Sequence, residues 1–225
     1  MPLILNIETA TTVCSVALAE HGKLLSLKEE NERYTHAEKI TLFIEQVLNE
    51  TGKLISDLDA VAVSSGPGSY TGLRIGISTA KGLCYALGKP LISISTLRSL
   101  AFSIHNSQLA IHNSFSCPMI DARRMEVYCA MYDEKLNEIE KMSARIIDEN
   151  SFSENLKEKK IFFFGDGAAK CSPLLSKNKN ALFIDNIFPT AASMISLSEE
   201  KFQKNEFENV ALFEPFYLKE FAANK

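Results

Sequence analysis

The sequence of 225 residues contains no tryptophan and four histidines, and it has no apolar run close to the roughly 20 residues that a membrane-spanning helix needs. Its amino terminus lacks the basic segment and cleavage site of a secretory signal peptide. Acidic residues number 28 against 24 lysines and arginines, so the formal net charge is −4. This balance gives no electrostatic reason for the chain alone to bind nucleic acid tightly. We therefore expect a cytoplasmic protein that does not contact a membrane.

Cysteine motifs are also lacking. The sequence has five cysteines and no CxxC pair, which excludes the spacing of a zinc ribbon and of a thioredoxin-type redox motif. Most of the cysteines stand among apolar neighbours, and this setting predicts small buried side chains. The five are Cys14, Cys84, Cys117, Cys129 and Cys171.

The first half of the sequence alternates regularly between strand and helix patterns. We predict strands at 3–7, 14–20, 24–30, 60–63 and 91–94, and helices at 35–50, 70–87 and 96–103. Three strands followed by alternating helices and strands is the order of a ribonuclease-H-like half-domain. We accordingly assign residues 1–105 to a first α/β subdomain.

The second half, residues 106–225, predicts a reduced copy of the same subdomain. The strand and helix patterns are less clear there than in the first half. Strands are predicted at 117–121, 126–133 and 161–164, and helices at 148–157 and 190–203.

One stripe of the helix predicted over 35–50 is apolar, so this helix should lie against a sheet. Thr35 and Glu38 have the spacing of a capping box at its start, and Gly52 is a typical stop. The apolar stripe consists of Ile40, Phe43, Ile44, Val47 and Leu48.

A glycine-rich junction joins the predicted strand at 60–63 to the predicted helix at 70–87. It reads Ser-Ser-Gly-Pro-Gly-Ser-Tyr-Thr-Gly-Leu-Arg-Ile-Gly over residues 64–76. Such junctions commonly hold a phosphate or a partner in α/β proteins. However, no lysine follows Gly72, which excludes a P-loop, and Thr71 stands where the dinucleotide-binding pattern needs its third glycine. Neither common nucleotide motif is present.

The glycines inside this helix need an explanation, because each costs about 1 kcal/mol relative to alanine in a helix interior. They are Gly72, Gly76 and Gly82, and Ala80 continues the four-residue spacing of the first two. The resulting smooth stripe allows another backbone to approach closely. Two interpretations stay open at this point: tight packing within the fold, and contact with another subunit.

Four segments of the sequence resemble the TsaB family, formerly YeaZ: residues 7–11, the loop at 66–76, residues 95–97 and the stretch 120–128. The carboxyl-terminal Pro-Phe-Tyr-Leu at 215–218 also resembles the family's ending. This resemblance implies the actin/sugar-kinase/Hsp70-like fold, a duplicated ribonuclease-H-like core, which agrees with the predicted strand order. TsaB is the bacterial partner subunit in the synthesis of N6-threonylcarbamoyladenosine at position 37 of tRNA.

The resemblance implies a non-catalytic subunit that supports the catalytic transferase TsaD, with a TsaE-like ATPase in the larger complex. It also implies a homodimer when the chain is alone, whereas direct contact with tRNA stays open. The shared surface would be a four-helix bundle built from the helices at 35–50 and 70–87 of each subunit. Candidate contacts, any of which could instead face this chain's own sheet, are Tyr34, His36, Leu42, Tyr70, Leu73, Arg74, Gly76 and Ile77.

The resemblance further implies that the metal site of the catalytic subunit is missing. TsaD holds a metal through an Asn-His-Leu-Glu-Gly-His segment, and its two histidines correspond here to Thr96 and Leu100. Leucine cannot ligate a metal, and a lone threonine hydroxyl is a poor ligand. We therefore predict neither a metal site nor a catalytic residue.

Nucleotide binding is predicted to be vestigial. Glu8, Thr9 and Asp121 are residue types that the working ATPases of this fold use for Mg²⁺ and phosphate, but the first hairpin has no glycine for close approach. We expect no cofactor of the chain's own, with ATP held only weakly or at the partner interface. The charged turn Asp121–Glu126 predicts either structural ion pairs or docking of tRNA or a partner. The rival functions are a stand-alone ATPase or small-molecule kinase, a metallopeptidase, and a purely structural oligomer.

Overall fold

The structure is a computed structural model that describes residues 2–32, 36–105 and 112–219. Within these residues the chain forms two five-stranded sheets. The strands are β1 (Leu3–Glu8), β2 (Val13–Glu20), β3 (Lys23–Asn31), β4 (Ala60–Gly66), β5 (Leu91–Ser95), β6 (Ser114–Asp121), β7 (Glu126–Tyr132), β8 (Glu138–Ile146), β9 (Lys160–Phe164) and β10 (Ala181–Ile184). The helices are α1 (His36–Thr51), α2 (Tyr70–Leu87), α3 (Thr96–His105), α4 (Ser153–Glu158), α5 (Ser172–Leu175) and α6 (Ala191–Gln203).

The two sheets repeat one topology. The first has the order β3-β2-β1-β4-β5, and the second has the equivalent order β8-β7-β6-β9-β10. In each sheet the three meander strands are antiparallel, and the last two strands run parallel to the first strand of the meander. The predicted duplicated ribonuclease-H-like fold is therefore confirmed. The reduction of the second copy lies in its helices, since α4 has 6 residues and α5 has 4, against 16 in α1 and 18 in α2.

The first half follows the predicted element order closely. α2 has the predicted bounds, and α1 starts one residue later than predicted. All five apolar residues predicted for the stripe of α1 are buried, and Gly52 adopts a left-handed φ of 66° directly after the helix. The proposed cap Thr35 lies outside the described residues.

The second half departs from the sequence-based expectation in four places. The strands β8 and β10 and the short helix α5 were not predicted, and the helix expected at 148–157 forms only over Ser153–Glu158. β8 is an edge strand with exposed and half-buried residues along its whole length, so its hydrophobic signal is weak.

The residue contacts divide the chain into two units. One unit is made by the chain up to Ser99 together with Pro189–Tyr217, and the other by Leu100–Phe188 and the residues after Tyr217. The segment 189–217, which the expected division at residue 105 assigns to the second subdomain, thus packs with the first sheet. Its helix α6 is anchored there by buried hydrogen bonds from Ala191 N to Ser15 Oγ (3.0 Å) and from Ser198 Oγ to Asn6 Oδ1 (2.7 Å).

The opposite face of the first sheet carries α1 and α2 side by side over an apolar core. Leu5, Ile7 and Val16 point into this core, whereas the alternate residues Asn6 and Ser15 point toward α6, as the two-residue period of a strand requires. The predicted burial of all five cysteines is confirmed, and they are free. Burial raises the pKa of the Cys14 thiol to about 11, which keeps the group protonated near neutral pH. In the part of the chain that the structure describes, no helix combines the length and the apolar character required to cross a membrane.

Candidate functional site

The glycine-rich junction after β4 closes on the turn between β1 and β2. Ser69 N donates to Ala10 O at 2.7 Å, and the Ser69 side chain caps α2 by accepting a hydrogen bond from Gly72 N at 3.2 Å. A methyl group on Gly68 would lie less than 3.0 Å from Ala10 O, closer than real Cβ atoms approach a neighbour. The space beside Gly68 is therefore filled by Ala10 of this chain.

The first two glycines of α2 serve the same contact. A Cβ atom on Gly72 would clash with Thr9 O, and one on Gly76 would clash with Thr9 Oγ1. The Thr9 hydroxyl donates to Gly72 O at 2.8 Å, so the helix and the turn are joined by both packing and a hydrogen bond. For these two glycines, the interpretation of tight packing within the fold accounts for the small side chain.

Gly82 is different, because a Cβ built on it would meet no atom within 4 Å. It lies on the exposed side of α2 and has no conformational need for glycine, since its φ is not in the left-handed region. Its helix-destabilising effect of about 1 kcal/mol relative to alanine is not offset by a packing contact among the described residues.

We predict opposite stability effects for two alanine substitutions in α2. Gly82→Ala should raise the free energy of unfolding by up to about 1 kcal/mol, since alanine favours the helix and meets no neighbour. Gly76→Ala should lower it by about 1–3 kcal/mol, since the new methyl group must displace Thr9. Urea denaturation followed by circular dichroism measures both values. Equal effects of the two substitutions would contradict the packing described for Thr9.

Glu8, a predicted nucleotide contact, is fully buried at the end of β1. Its Oε1 accepts a hydrogen bond from Ala10 N at 2.6 Å, and the Ser64 hydroxyl hydrogen-bonds the same carboxyl group. Burial raises the pKa of Glu8 to about 7, although these hydrogen bonds act in the opposite direction. Among the described residues, Glu8 Oε2 and Thr96 Oγ1 are the buried side-chain oxygens without a hydrogen-bond partner. Thr9 is buried as well, so neither side chain is presented to solvent.

The raised pKa of Glu8 predicts a specific pH dependence of stability. The folded state holds the proton more tightly than the unfolded chain, whose carboxyl pKa is near 4.5, so the stabilisation is present below pH 4.5 and is lost as the pH rises through about 7. Between pH 5 and pH 8 the wild type should lose about 2–3 kcal/mol more unfolding free energy than Glu8→Gln. Denaturant titrations of both proteins at the two pH values measure the difference, and parallel pH profiles would show that Glu8 is ionised in the folded state.

The residues predicted to contact a partner separate into two groups. Leu73, Gly76 and Ile77 are buried in the core under α2, and His36 is buried with its Nε2 2.9 Å from Thr11 O. The three residues of α2 face the chain's own sheet, because the Thr9 contact sets the buried side of that helix, and His36 of α1 faces the β1–β2 turn. They are therefore removed from the candidate surface.

The other predicted contacts lie toward solvent, apart from Tyr34, which is outside the described residues. Leu42 on α1 is 43% exposed, Arg74 on α2 is exposed, and Tyr70 is half-buried. Sequence reasoning missed Tyr85, which is 86% exposed. The exposed residues Arg74, Ser78, Gly82 and Tyr85 follow one another at helical spacing, and we call them the outer face of α2.

In the second unit, Asp121 is part of a charged cluster at the end of β6. Its Oδ1 accepts hydrogen bonds from Arg123 N (2.8 Å) and from the Lys170 ammonium group, and its own N–H donates to Asp166 Oδ1 at 3.1 Å. Burial raises the pKa of Asp166 to about 6. The ion pair of Asp121 with Lys170 agrees with the structural interpretation of this turn, while Arg123 and Arg124 remain exposed.

The segment that the resemblance matches to the metal-binding segment of TsaD lies at the start of α3. Thr96 and Leu100 are both buried. Among the residues that the structure describes, no three His, Cys, Asp or Glu side chains are grouped in a way that could hold a metal ion.

Comparison with known proteins gives consistent matches along the chain. A family model described as "TsaD: tRNA N6-adenosine threonylcarbamoyltransferase" matches residues 30–225. The tRNA threonylcarbamoyladenosine biosynthesis protein TsaB of Escherichia coli is 31% identical over 222 residues, which cover 96% of this chain and 94% of that protein. The chain belongs to the TsaB family. Haemophilus influenzae TsaB is 29% identical, with 96% of this chain and 93% of that protein covered.

Solved structures show the same relationship. YeaZ from Pseudomonas aeruginosa matches with a TM-score of 0.84 at 26% identity, covering 97% of this chain and 100% of that one. The activator of the 2-hydroxyisocaproyl-CoA dehydratase from Clostridium difficile, solved with bound ADPNP, has a TM-score of 0.52 at 10% identity over 92% of this chain and 98% of its own. This second likeness shows the fold alone. Both matches confirm the predicted fold class of the TsaB-family chain.

Proposed function

We propose that this chain is a non-catalytic partner subunit in the synthesis of N6-threonylcarbamoyladenosine at position 37 of tRNA. It supports a TsaD-like catalytic subunit, and the larger complex includes a TsaE-like ATPase. The names of the TsaB relatives support the pathway, and the family model supports kinship with the catalytic subunit. Thr96 and Leu100, buried where the resemblance to TsaD implies metal-binding histidines, support the accessory role.

The observation that carries the proposal is the exposed Gly82. The axes of two packed helices lie roughly 8–10 Å apart, and small residues at the crossing point allow the shortest of these distances. Ser78 and Gly82 form such a point on the outer face of α2, and Leu42 and Tyr85 are large exposed apolar side chains on α1 and α2. Two helices from a partner would pack here as a four-helix bundle. Without the partner, a second copy of the chain uses the same face to form a homodimer.

The decisive variant is Gly82→Leu, which leaves the folded chain intact because the position is open to solvent. The added side chain should keep the partner helix at a distance and weaken binding of the TsaD-like subunit by about tenfold or more, which is about 1.4 kcal/mol. Isothermal titration calorimetry with the purified subunits measures the dissociation constant. Ser196→Leu, an exposed position on α6, is the matched control and should bind as the wild type does.

Unchanged affinity of a folded Gly82→Leu protein would refute this interface. Analytical ultracentrifugation of the same variant tests the homodimer, which should dissociate at lower concentration than that of the Ser196→Leu control. If only the homodimer is weakened, the two assemblies use different surfaces, and the shared-face proposal is wrong.

We further propose that the chain holds no nucleotide through Glu8 and Thr9, so that any ATP contact depends on the partner interface. Both side chains are buried, and Mg²⁺ prefers ionised, accessible carboxylates, whereas the Glu8 pKa is raised to about 7. The Glu8→Gln variant used for the pH profile also tests this point. Its affinity for Mg-ATP should equal that of the wild type, and a clear loss would favour the rival function of a stand-alone ATPase or kinase.

A further inference from the structure

Arg74, the first residue of the outer face of α2, is held in one orientation by two tyrosines. The central guanidinium carbon lies 4.1 Å from the centroid of the Tyr70 ring, in the geometry of a cation–π contact. Its Nε donates a hydrogen bond to the Tyr217 hydroxyl at 3.2 Å. The two rings also contact one another, with centroids 5.0 Å apart and planes inclined by 33°. An exposed arginine side chain is thus fixed both at its flat face and at its Nε.

Tyr217 reaches this position because it ends a segment, residues 206–217, that is hydrogen-bonded to other parts of the first unit. We call this segment the strap. Glu208 N donates to Leu91 O at 2.9 Å, and Phe216 N donates to Ser65 O at 2.8 Å. Lys81 of α2 donates from Nζ to two carbonyl groups of the strap, Ala211 O (3.1 Å) and Phe213 O (2.9 Å). Tyr217, the last residue of the strap, is therefore positioned by hydrogen bonds of the strap to β4, β5 and α2.

The terminal nitrogens of Arg74 have no acidic partner among residues 2–32, 36–105 and 112–219, since no carboxylate oxygen there lies within 4.0 Å of them. Among the described residues, Glu214 is an acid whose charge acts on Arg74 from beyond ion-pair distance. A guanidinium group presents a planar pair of N–H donors that matches the two oxygens of a carboxylate or phosphate. The fixed plane of Arg74 is preorganised for such an oxyanion.

The surrounding charge favours a single carboxylate over the phosphates of a nucleic acid. Leu42, Ser78, Gly82 and Tyr85 are uncharged, Glu214 is acidic, and the chain has a net charge of −4. The nearby cation Lys81 is engaged with two carbonyl groups of the strap. A polyanion gains affinity from clusters of cations, which this face does not offer among its described residues. Arginine and tyrosine are also the residues that most often dominate protein–protein interfaces.

We infer that Arg74, held by Tyr70 and Tyr217, is a preorganised anchor for a carboxylate side chain of the protein that docks on the outer face of α2. The identity of that protein as the TsaD-like subunit rests on the proposed function. Tyr217 is a positioning residue, because it acts through Arg74. Through Tyr217, the strap therefore affects how strongly Arg74 of α2 binds the carboxylate.

The test compares dissociation constants for the TsaD-like subunit among four proteins: the wild type, Arg74→Gln, Arg74→Lys and Tyr217→Phe. Arg74→Gln should weaken binding by roughly 30-fold, and Arg74→Lys by roughly tenfold, because an ammonium group keeps the charge but loses the planar pair of donors. Tyr217→Phe should weaken binding by about three- to tenfold, because it keeps the ring and removes the acceptor for Nε. Arg98→Gln, at an exposed position on α3, is the control and should bind as the wild type does.

Two further readouts separate the alternatives. The dependence of the dissociation constant on KCl concentration should be shallower for Arg74→Gln than for the wild type, as the loss of an intermolecular charge pair requires. Binding of unmodified tRNA by the chain alone, measured by gel shift, should be the same for Arg74→Gln and the wild type. Thermal unfolding confirms that each variant is folded, which the exposure of Arg74 leads us to expect.

The outcomes are distinguishable from a failure of the proposed function. If the wild type binds the TsaD-like subunit and Arg74→Gln binds equally well, the anchor is refuted while the accessory role stands. If Arg74→Lys binds the TsaD-like subunit with wild-type affinity, the contact does not need the planar pair of N–H donors, and the inferred carboxylate anchor is refuted. Loss of tRNA binding with unchanged partner binding would assign Arg74 to a phosphate and overturn the inference. A wild type that does not bind the partner removes both the proposed function and the anchor.

Discussion

The contact between the β1–β2 turn and the start of α2 determines which residues of α2 are buried and which are exposed to solvent. The backbone oxygens of Ala10 and Thr9 pack against Gly68 and Gly72, and the Thr9 side chain packs against Gly76, at distances that no larger side chain would permit. The contact sets the rotation of α2 about its own axis, which places Leu73 and Ile77 in the core and Arg74 and Gly82 outside. In the same turn, Thr11 O lies 2.9 Å from Nε2 of His36 on α1, so one short hairpin contacts both helices.

This arrangement also changes the chemical meaning of the glycine-rich junction. Two backbone N–H groups of the junction are used within the chain, because Ser69 N donates to Ala10 O and Gly72 N donates to Ser69 Oγ. Next to this junction, Glu8 is buried, and its burial raises the pKa of the carboxyl group. The polar groups at this junction therefore stabilise the first unit and fix the orientation of α2 within it.

Sequence periodicity predicted α1 and α2 almost to the residue because each has strong local signals: an apolar stripe in α1, and glycines at the carboxyl ends of both helices. It could not predict which side of α2 is buried, because small and apolar residues occur around most of its circumference. That information lies in contacts between distant residues, such as Thr9 with Gly72, which are 63 positions apart, and Arg74 with Tyr217, which are 143 apart. The strands β8 and β10 were missed because edge position and short length leave little hydrophobic pattern to detect.

The proposed role of this chain as a partner subunit can be measured by reconstituting the tRNA modification from purified TsaD-like, TsaE-like and threonylcarbamoyl-AMP-forming components. We expect little N6-threonylcarbamoyladenosine without this chain, full formation with the wild type, and a reduced rate with Gly82→Leu that rises again at high protein concentration. The proposed role is wrong if the modified nucleoside forms at the same rate with and without the chain.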